Sequence, residues 1–172
     1  MTDEEIVALA DTTRDQYFLT APDKLTRLVA AAGIKATDHV VEAGAGVGTV
    51  ATVLPSCASL TLIELDPRLN NALRANVPNA HIIQGDALVL LRGMSCDVLI
   101  SNLPAAATEL LIDLLPTLPP RVTVVAVREG AVLDKLKPEF SFQPITTVGG
   151  NDFQPSQPTR SQLMKITRIA RL

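Results

Sequence analysis

Five short apolar runs are strung along the chain: HVVEAG (39–44), LTLIELD (60–66), AHIIQGD (80–86), CDVLISN (96–102) and RVTVVAV (121–127). Each is apolar along most of its length, the mark of a strand buried on both faces of a parallel sheet. Helical spacing fills several of the gaps. Leu25, Leu28, Val29 and Ala32 share one face of a helix that starts at Pro22 and stops at Gly33. Further helices are expected over 3–11, about 47–54, the stretch carrying Leu69, Leu73 and Val77, 108–115 and, briefly, 130–136. Two later runs, FQPITTVG (142–149) and QLMKITRIA (162–170), alternate more cleanly and predict an antiparallel pair at one edge, joined by a Pro-rich loop over 151–160. The pattern is α/β: an open, doubly wound, mostly parallel seven-stranded sheet with an antiparallel edge and helices on both faces.

Length and composition narrow this further. The 172 residues form one domain, and 47% apolar content excludes disorder as a description of the whole chain. Only Tyr17, Phe18, Phe140, Phe142 and Phe153 are aromatic, so the core is built from Val, Leu, Ile and Ala. Cys57 and Cys96 lack C-x-x-C spacing, and with only His39 and His81 beside them no structural zinc or other metal site is expected. Both read as buried thiols of a reducing compartment. The start lacks a signal-peptide pattern and no run is long enough to span a bilayer, so the expected location is cytoplasmic. A net charge of −3 argues against a strong electrostatic hold on nucleic acid.

The candidate chemistry sits at strand ends. Gly44, Gly46 and Gly48 follow the first strand as G-x-G-x-G, where backbone N–H groups and a helix N-terminus can approach a ligand. Glu42 precedes the turn. Glu64 ends the second strand, placed to accept from both hydroxyls of a ribose, and Asp86 ends the third, placed to receive an adenine amino group. Together they describe a pocket for a nucleoside joined to something small. The plainer alternative makes the turn a tight connection and Asp66 and Asp86 helix caps. No P-loop lysine is present.

These residues also carry a resemblance. DQYFLT (15–20) is similar to Gly-Gln-(Asn/His)-Phe-Leu, VVEAGAGVGTV (40–50) to Val-Leu-Glu-Ile-Gly-Pro-Gly-x-Gly, and LIELDPRLNNALR (62–74) to Glu-x-Asp-x-x-Leu. IIQGDAL (82–88) is similar to Gly-Asp-Ala-Leu, SNLPA (101–105) to Asn-(Leu/Ile)-Pro-Tyr, and FQPSQPTRS (153–161) to Phe-x-Pro-x-Pro-x-Val-x-Ser. The chain thus resembles the ribosomal RNA adenine N6-dimethyltransferases, S-adenosylmethionine-dependent enzymes that include the erythromycin-resistance methyltransferases.

The resemblance implies a Rossmann-like class I methyltransferase fold, with residues 1–33 as a helical cap over the cofactor and 34–172 as the catalytic sheet. It implies that Gln16, Phe18, Glu42, Gly44, Gly46, Gly48, Glu64, Leu65, Asp86, Ala87 and Asn102 bind S-adenosylmethionine. Asn102, Leu103 and Pro104 become the catalytic corner, where Pro104 holds an extended, rigid shape and Asn102 accepts from a substrate amino group. The competing role for Asn102 is a cap on the following helix.

Three departures bear on the substrate. Ala105 stands where the family has its stacking Tyr, leaving Phe153 and Tyr17 as possible substitutes. The helical domain that follows the sheet in the family is expected to be missing, and the segment before 142 is shorter. The chain is acidic, with Arg160, Lys165, Arg168 and Arg171 gathered late. The expected acceptor is an RNA adenine, with a small amine-bearing molecule or peptide as the alternative. A non-catalytic cofactor-binding subunit is a third reading.

Overall fold

The computed structural model describes residues 1–131, 133, 136 and 139–169. Helix α1 (Asp3–Leu9) opens with a reciprocal capping box, in which Glu5 N donates to Thr2 Oγ1 (3.3 Å) and Thr2 N to Glu5 Oε2 (2.8 Å). A two-residue strand β1 (Phe18–Leu19) leads to α2 (Pro22–Ala32), which starts on proline and ends on Gly33 at φ 56°. There follow β2 (His39–Ala43), β3 (Ser59–Glu64), α3 (Asn70–Asn76), β4 (His81–Gln84), α4 (Ala87–Leu90), β5 (Val98–Ser101), α5 (Ala105–Leu114) and β6 (Val122–Arg128). The chain closes with β7 (Phe140–Gly150), β8 (Phe153–Gln154) and β9 (Gln157–Arg168).

Seven strands form one sheet in the order β4-β3-β2-β5-β6-β9-β7, parallel through β6 and antiparallel over β6–β9–β7. From β2 the chain first moves outward to β3 and β4, then returns to place β5 on the other side of β2. That reversal opens a crevice beyond the carboxyl ends of β2 and β5, where ligands of open α/β sheets bind. One face packs Val41, Ala43, Ile63, Leu99 and Val125 against Leu111, Ile112 and Leu115 of the α5 region. The other packs Val40, Val98, Ile100, Val122 and Val124 against Leu25, Leu28 and Ala32 of α2. Leu73 of α3 meets Leu62 on the same side as α2.

Local differences from the sequence pattern have physical causes. The helix expected over 47–54 is absent: the chain turns through three glycines at positive φ (76°, 58° and 88°) and makes only a 3-10 turn at Ala51–Val53. Left-handed residues at alternate positions cannot propagate an α-helix, and Pro55 disfavours helix at Leu54. The loop expected over 151–160 is largely paired, because Phe153 and Gln154 hydrogen-bond against Leu19 and Phe18 and β9 already starts at Gln157. Helix α2 packs on the sheet, so the segment over the crevice is made from residues before it. Three of the seven residues of the short helix expected over 130–136 lie outside the described residues, as do Ala170 at the end of the last strand run and Arg171. Cys57 is half-buried; Cys96 is buried, and burial pushes its thiol up to about 11.

Candidate active site

The first wall of the crevice is main chain. Gly44 N and Ala45 N donate to Ile63 O (2.9 and 3.0 Å), stitching the glycine turn to β3. Gly46 N donates to Glu64 Oε2 and Asp66 N to Glu64 Oε1, both at 2.7 Å, while Gly85 N donates to Glu64 O at 2.9 Å. One buried residue therefore ties together the ends of β2, β3 and β4. Burial raises the Glu64 pKa, opposed by the amides it accepts. A carboxylate has about four lone-pair sites, so capacity remains for a ligand hydroxyl.

Glu42, 2% exposed, stands beside it with Oε2 buried and unpartnered. Burial first, and the neighbouring Glu64 second, push its carboxyl up to about 8. Burial without a partner thus favours the protonated form of Glu42.

A strap of residues 10–20 covers the crevice. Phe18 lies against the turn, close enough that a Cβ at Gly46 would sit 2.5 Å from its ring, and Leu19 is fully buried. Gln16 Nε2 donates to Asp66 Oδ2 (2.9 Å), and its Oε1 accepts from Asp11 N (2.9 Å). Arg68 grips Asp66 and Asp11, and Arg14 reaches both as well (3.6 and 3.4 Å). The Arg68 guanidinium holds the Asp66 carboxyl far below the usual carboxylate range. Asp66 caps the turn after β3 through Arg68 N and also latches the strap. Sequence reasoning had only the cap, because the strap partners lie fifty or more residues away.

The third part is the corner after β5. Pro104 occupies the residue before α5 with φ −50°, and Thr108 secures it, its N donating to Pro104 O (2.9 Å) and its Oγ1 to Leu103 O (3.1 Å). Asn102 does not cap α5. Its Nδ2 donates to Tyr17 O (3.4 Å), and its Oδ1 accepts no hydrogen bond among the described residues. The corner also answers to the glycine turn, since the Leu103 side chain fills the space a Cβ on Gly44 would take.

Two clefts meet at this corner. The first, about 220 Å³, is lined by Gln16, Tyr17, Glu42, Gly44, Gly46, Glu64, Leu65, Asp86, Ala87, Asn102 and Leu103 among others. The second, about 310 Å³, shares Asp15, Tyr17, Asn102, Leu103 and Pro104, and adds Ala105, Ala126, Arg128 and residues 157–161. Most residues singled out from sequence thus come together. Phe18 lines the first cleft from behind the turn, Leu65 is an exposed rim, and Asp86 both lines it and caps α4 through Leu88 N (2.8 Å).

Two candidates are placed elsewhere. Gly48 faces away, where a Cβ would meet Val77 and Leu73 of the α3 region at 2.9 and 3.0 Å, so close packing explains it. Phe153 is 1% exposed, inside the core beneath β1, with no ring face for a substrate. Of the late basic residues, Arg160 lines the second cleft, whereas Arg168 donates to Leu115 O and Leu118 O and lies over the Phe140 ring (4.6 Å). Among the described residues no group of three His, Cys, Asp or Glu is placed to hold a metal, and no helix is long and apolar enough to cross a membrane.

Comparison with known proteins identifies the architecture. The family model described as ribosomal RNA adenine dimethylase matches residues 10–137. The chain belongs to that family. Among curated relatives, it is 31% identical to ribosomal RNA small subunit methyltransferase A of Corynebacterium glutamicum, over 89% of this chain and 62% of that protein. It is 34% identical to a dimethyladenosine transferase of Chaetomium thermophilum, over 79% of this chain and 38% of that one. The chain thus spans under two thirds of the length of these curated relatives. A dimethyladenosine transferase from Plasmodium falciparum superposes with a TM-score of 0.80 at 21% identity, covering 88% of this chain and 63% of that one. The 23S rRNA methyltransferase ErmE does so at 0.77 and 20% identity, over 89% and 70%. These structures share the class I methyltransferase fold, and the family takes its methyl group from S-adenosylmethionine.

Proposed function

We propose that the protein is an S-adenosylmethionine-dependent N-methyltransferase acting on the amino group of an adenine in RNA. The observation that carries this reading is the meeting of two clefts at Asn102, one lined by main-chain turns and carboxylates, the other by a ring and arginines.

The first cleft fits the cofactor chemically. Glu42 Oε2, buried and unpartnered, is an acceptor for the cofactor's ammonium group, and the open lone pairs of Glu64 suit ribose hydroxyls. Asp86 and the main chain at Ala87 line the place for an adenine edge, with Leu65 as an apolar rim. Gly44 and Gly46 line the cleft and let Leu103 and Phe18 pack against the turn, and Gln16 holds the strap above it.

When bound, S-adenosylmethionine would supply an activated methyl to the acceptor nitrogen, leaving as a neutral thioether while the nitrogen's proton passes to solvent. The chain's own contribution is alignment. Asn102 Oδ1 accepts from the amino group and turns its lone pair toward the first cleft. Tyr17 O and the Pro104 corner keep Asn102 in that orientation.

The test is transfer of labelled methyl from S-adenosylmethionine to total RNA, with a small-metabolite extract in parallel. Methylated adenosine recovered from the RNA supports the proposal. Label confined to small molecules moves the substrate class, and cofactor bound without any transfer points to a binding subunit.

A further inference from the structure

Five residues line both clefts: Asp15, Tyr17, Asn102, Leu103 and Pro104. Of these only Asp15 carries a charge, and the other carboxylates of the first cleft, Glu42, Glu64, Asp66 and Asp86, are absent from the walls of the second. The Asp15 backbone is left-handed, at φ 54° and ψ 33°, and no other non-glycine residue described has a positive φ. An aspartate in that conformation is ordinarily offset by a hydrogen bond from its side chain to nearby backbone. The Asp15 carboxylate makes no hydrogen bond or ion pair among the described residues, and the residue is exposed. The segment around it is nevertheless held. Arg14 and Gln16, on either side, both bind Asp66 (3.6 and 2.9 Å), and Tyr17 O accepts from Asn102 Nδ2 (3.4 Å). The strap thus keeps an unpaired carboxylate at the junction of the clefts, in a turn that glycine would make without strain.

We propose that the Asp15 carboxylate is a further catalytic group, the counter-charge to the positive centre of methyl transfer. The proposal rests on the reading of the first cleft as the cofactor site and the second as the acceptor site, and deepens it by adding electrostatics to the alignment that Asn102 provides. S-adenosylmethionine carries a positive sulfur and S-adenosylhomocysteine a neutral one, and transfer moves that charge onto the acceptor nitrogen. A carboxylate fixed where the clefts meet faces the charge on both sides of the transition state. Asp15 accordingly favours the charged cofactor over the spent one and lowers the barrier to transfer.

Glycine separates charge from backbone at this position, because it adopts a positive φ more readily than aspartate. Calorimetry on the unaltered protein should show S-adenosylmethionine binding tighter than S-adenosylhomocysteine, and so should sinefungin, which carries an ammonium group where the sulfonium stands. In Asp15→Gly and Asp15→Asn that preference should fall by about fivefold, with the Kd for S-adenosylhomocysteine held within about twofold. Added salt should shrink the preference in the unaltered protein and leave the variants nearly flat. Asp15→Glu should retain most of it. With the acceptor found by labelled-methyl transfer, kcat of Asp15→Asn should fall by about tenfold. No preference in the unaltered protein, a preference unchanged in both neutral variants, or an unchanged kcat each overturns the counter-charge while leaving the cofactor site in place. Failure of all three ligands to bind the unaltered protein overturns the cofactor site and the counter-charge with it, so the two failures are distinct.

Discussion

The two clefts that share Tyr17 and Asn102 are built in opposite ways. The first draws its walls from contiguous stretches at consecutive strand ends, and its geometry is set by main-chain hydrogen bonds converging on Glu64. The second takes its walls from residues 15, 17, 102–105, 126, 128 and 157–161, so its shape depends on side chains from four separate segments. A pocket held by backbone amides keeps its shape under most substitutions, whereas one held by side chains from distant segments changes specificity with one residue. On the proposed function, cofactor handling and acceptor choice are separable, and the seam between them is the Asn102 corner.

The largest effect is expected at that seam. Asn102→Ala should lower kcat by about 100-fold or more while leaving the cofactor Kd within about threefold, because it removes alignment and not ground-state binding. Steady-state kinetics with calorimetry would show this; equal losses in both would erase the distinction between the clefts. Next comes Glu64→Ala, which frees two buried amides and removes the ligand-facing lone pairs. Cofactor affinity should fall by about 10–100-fold and thermal stability with it. An unchanged Kd would mean that the first cleft is not the cofactor site.

Gly48→Ala sharpens the comparison from within the turn. Left-handed geometry and contact with Leu73 and Val77 should cost about 1–2 kcal/mol, or a Tm lowered by about 2–8 °C, with cofactor Kd unchanged. A Kd that rises while Tm holds would return Gly48 to the ligand face. The smallest effect is one of pH. Burial raises the folded Glu42 carboxyl to about 8, above its unfolded range, so its contribution to stability is complete in mild acid and is lost as pH climbs toward 8. Glu42→Gln removes that loss, so its Tm advantage over the unaltered protein should grow between pH 5 and pH 8. A difference that is the same at both ends would show that Glu42 is not protonated in the fold.

Much of this molecule is written in local pattern. Five apolar runs determined the parallel strands, because a strand covered on both faces needs apolar residues at nearly every position. Gly44, Glu64 and Asp86 were legible as one pocket because each lies at a strand end, and parallel strands bring those ends to the same edge of the sheet. Other features could be decided only in three dimensions. Gly48 was read as facing the ligand, and only the packing of Leu73 and Val77 where its Cβ would stand shows otherwise, a contact no local pattern reports. Phe153 and Tyr17 were equivalent candidates for a stacking ring until the pairing of β1 with β8 buried Phe153 and left Tyr17 at the junction of the clefts. Asp66 took on its latch through contacts between segments far apart in the chain. Sequence by itself determined the strands, their buried faces and the pocket along their ends, since these follow from the periodicity of single segments. Only the tertiary structure decided which side chains line the second cleft, because that depends on which distant segments are brought together.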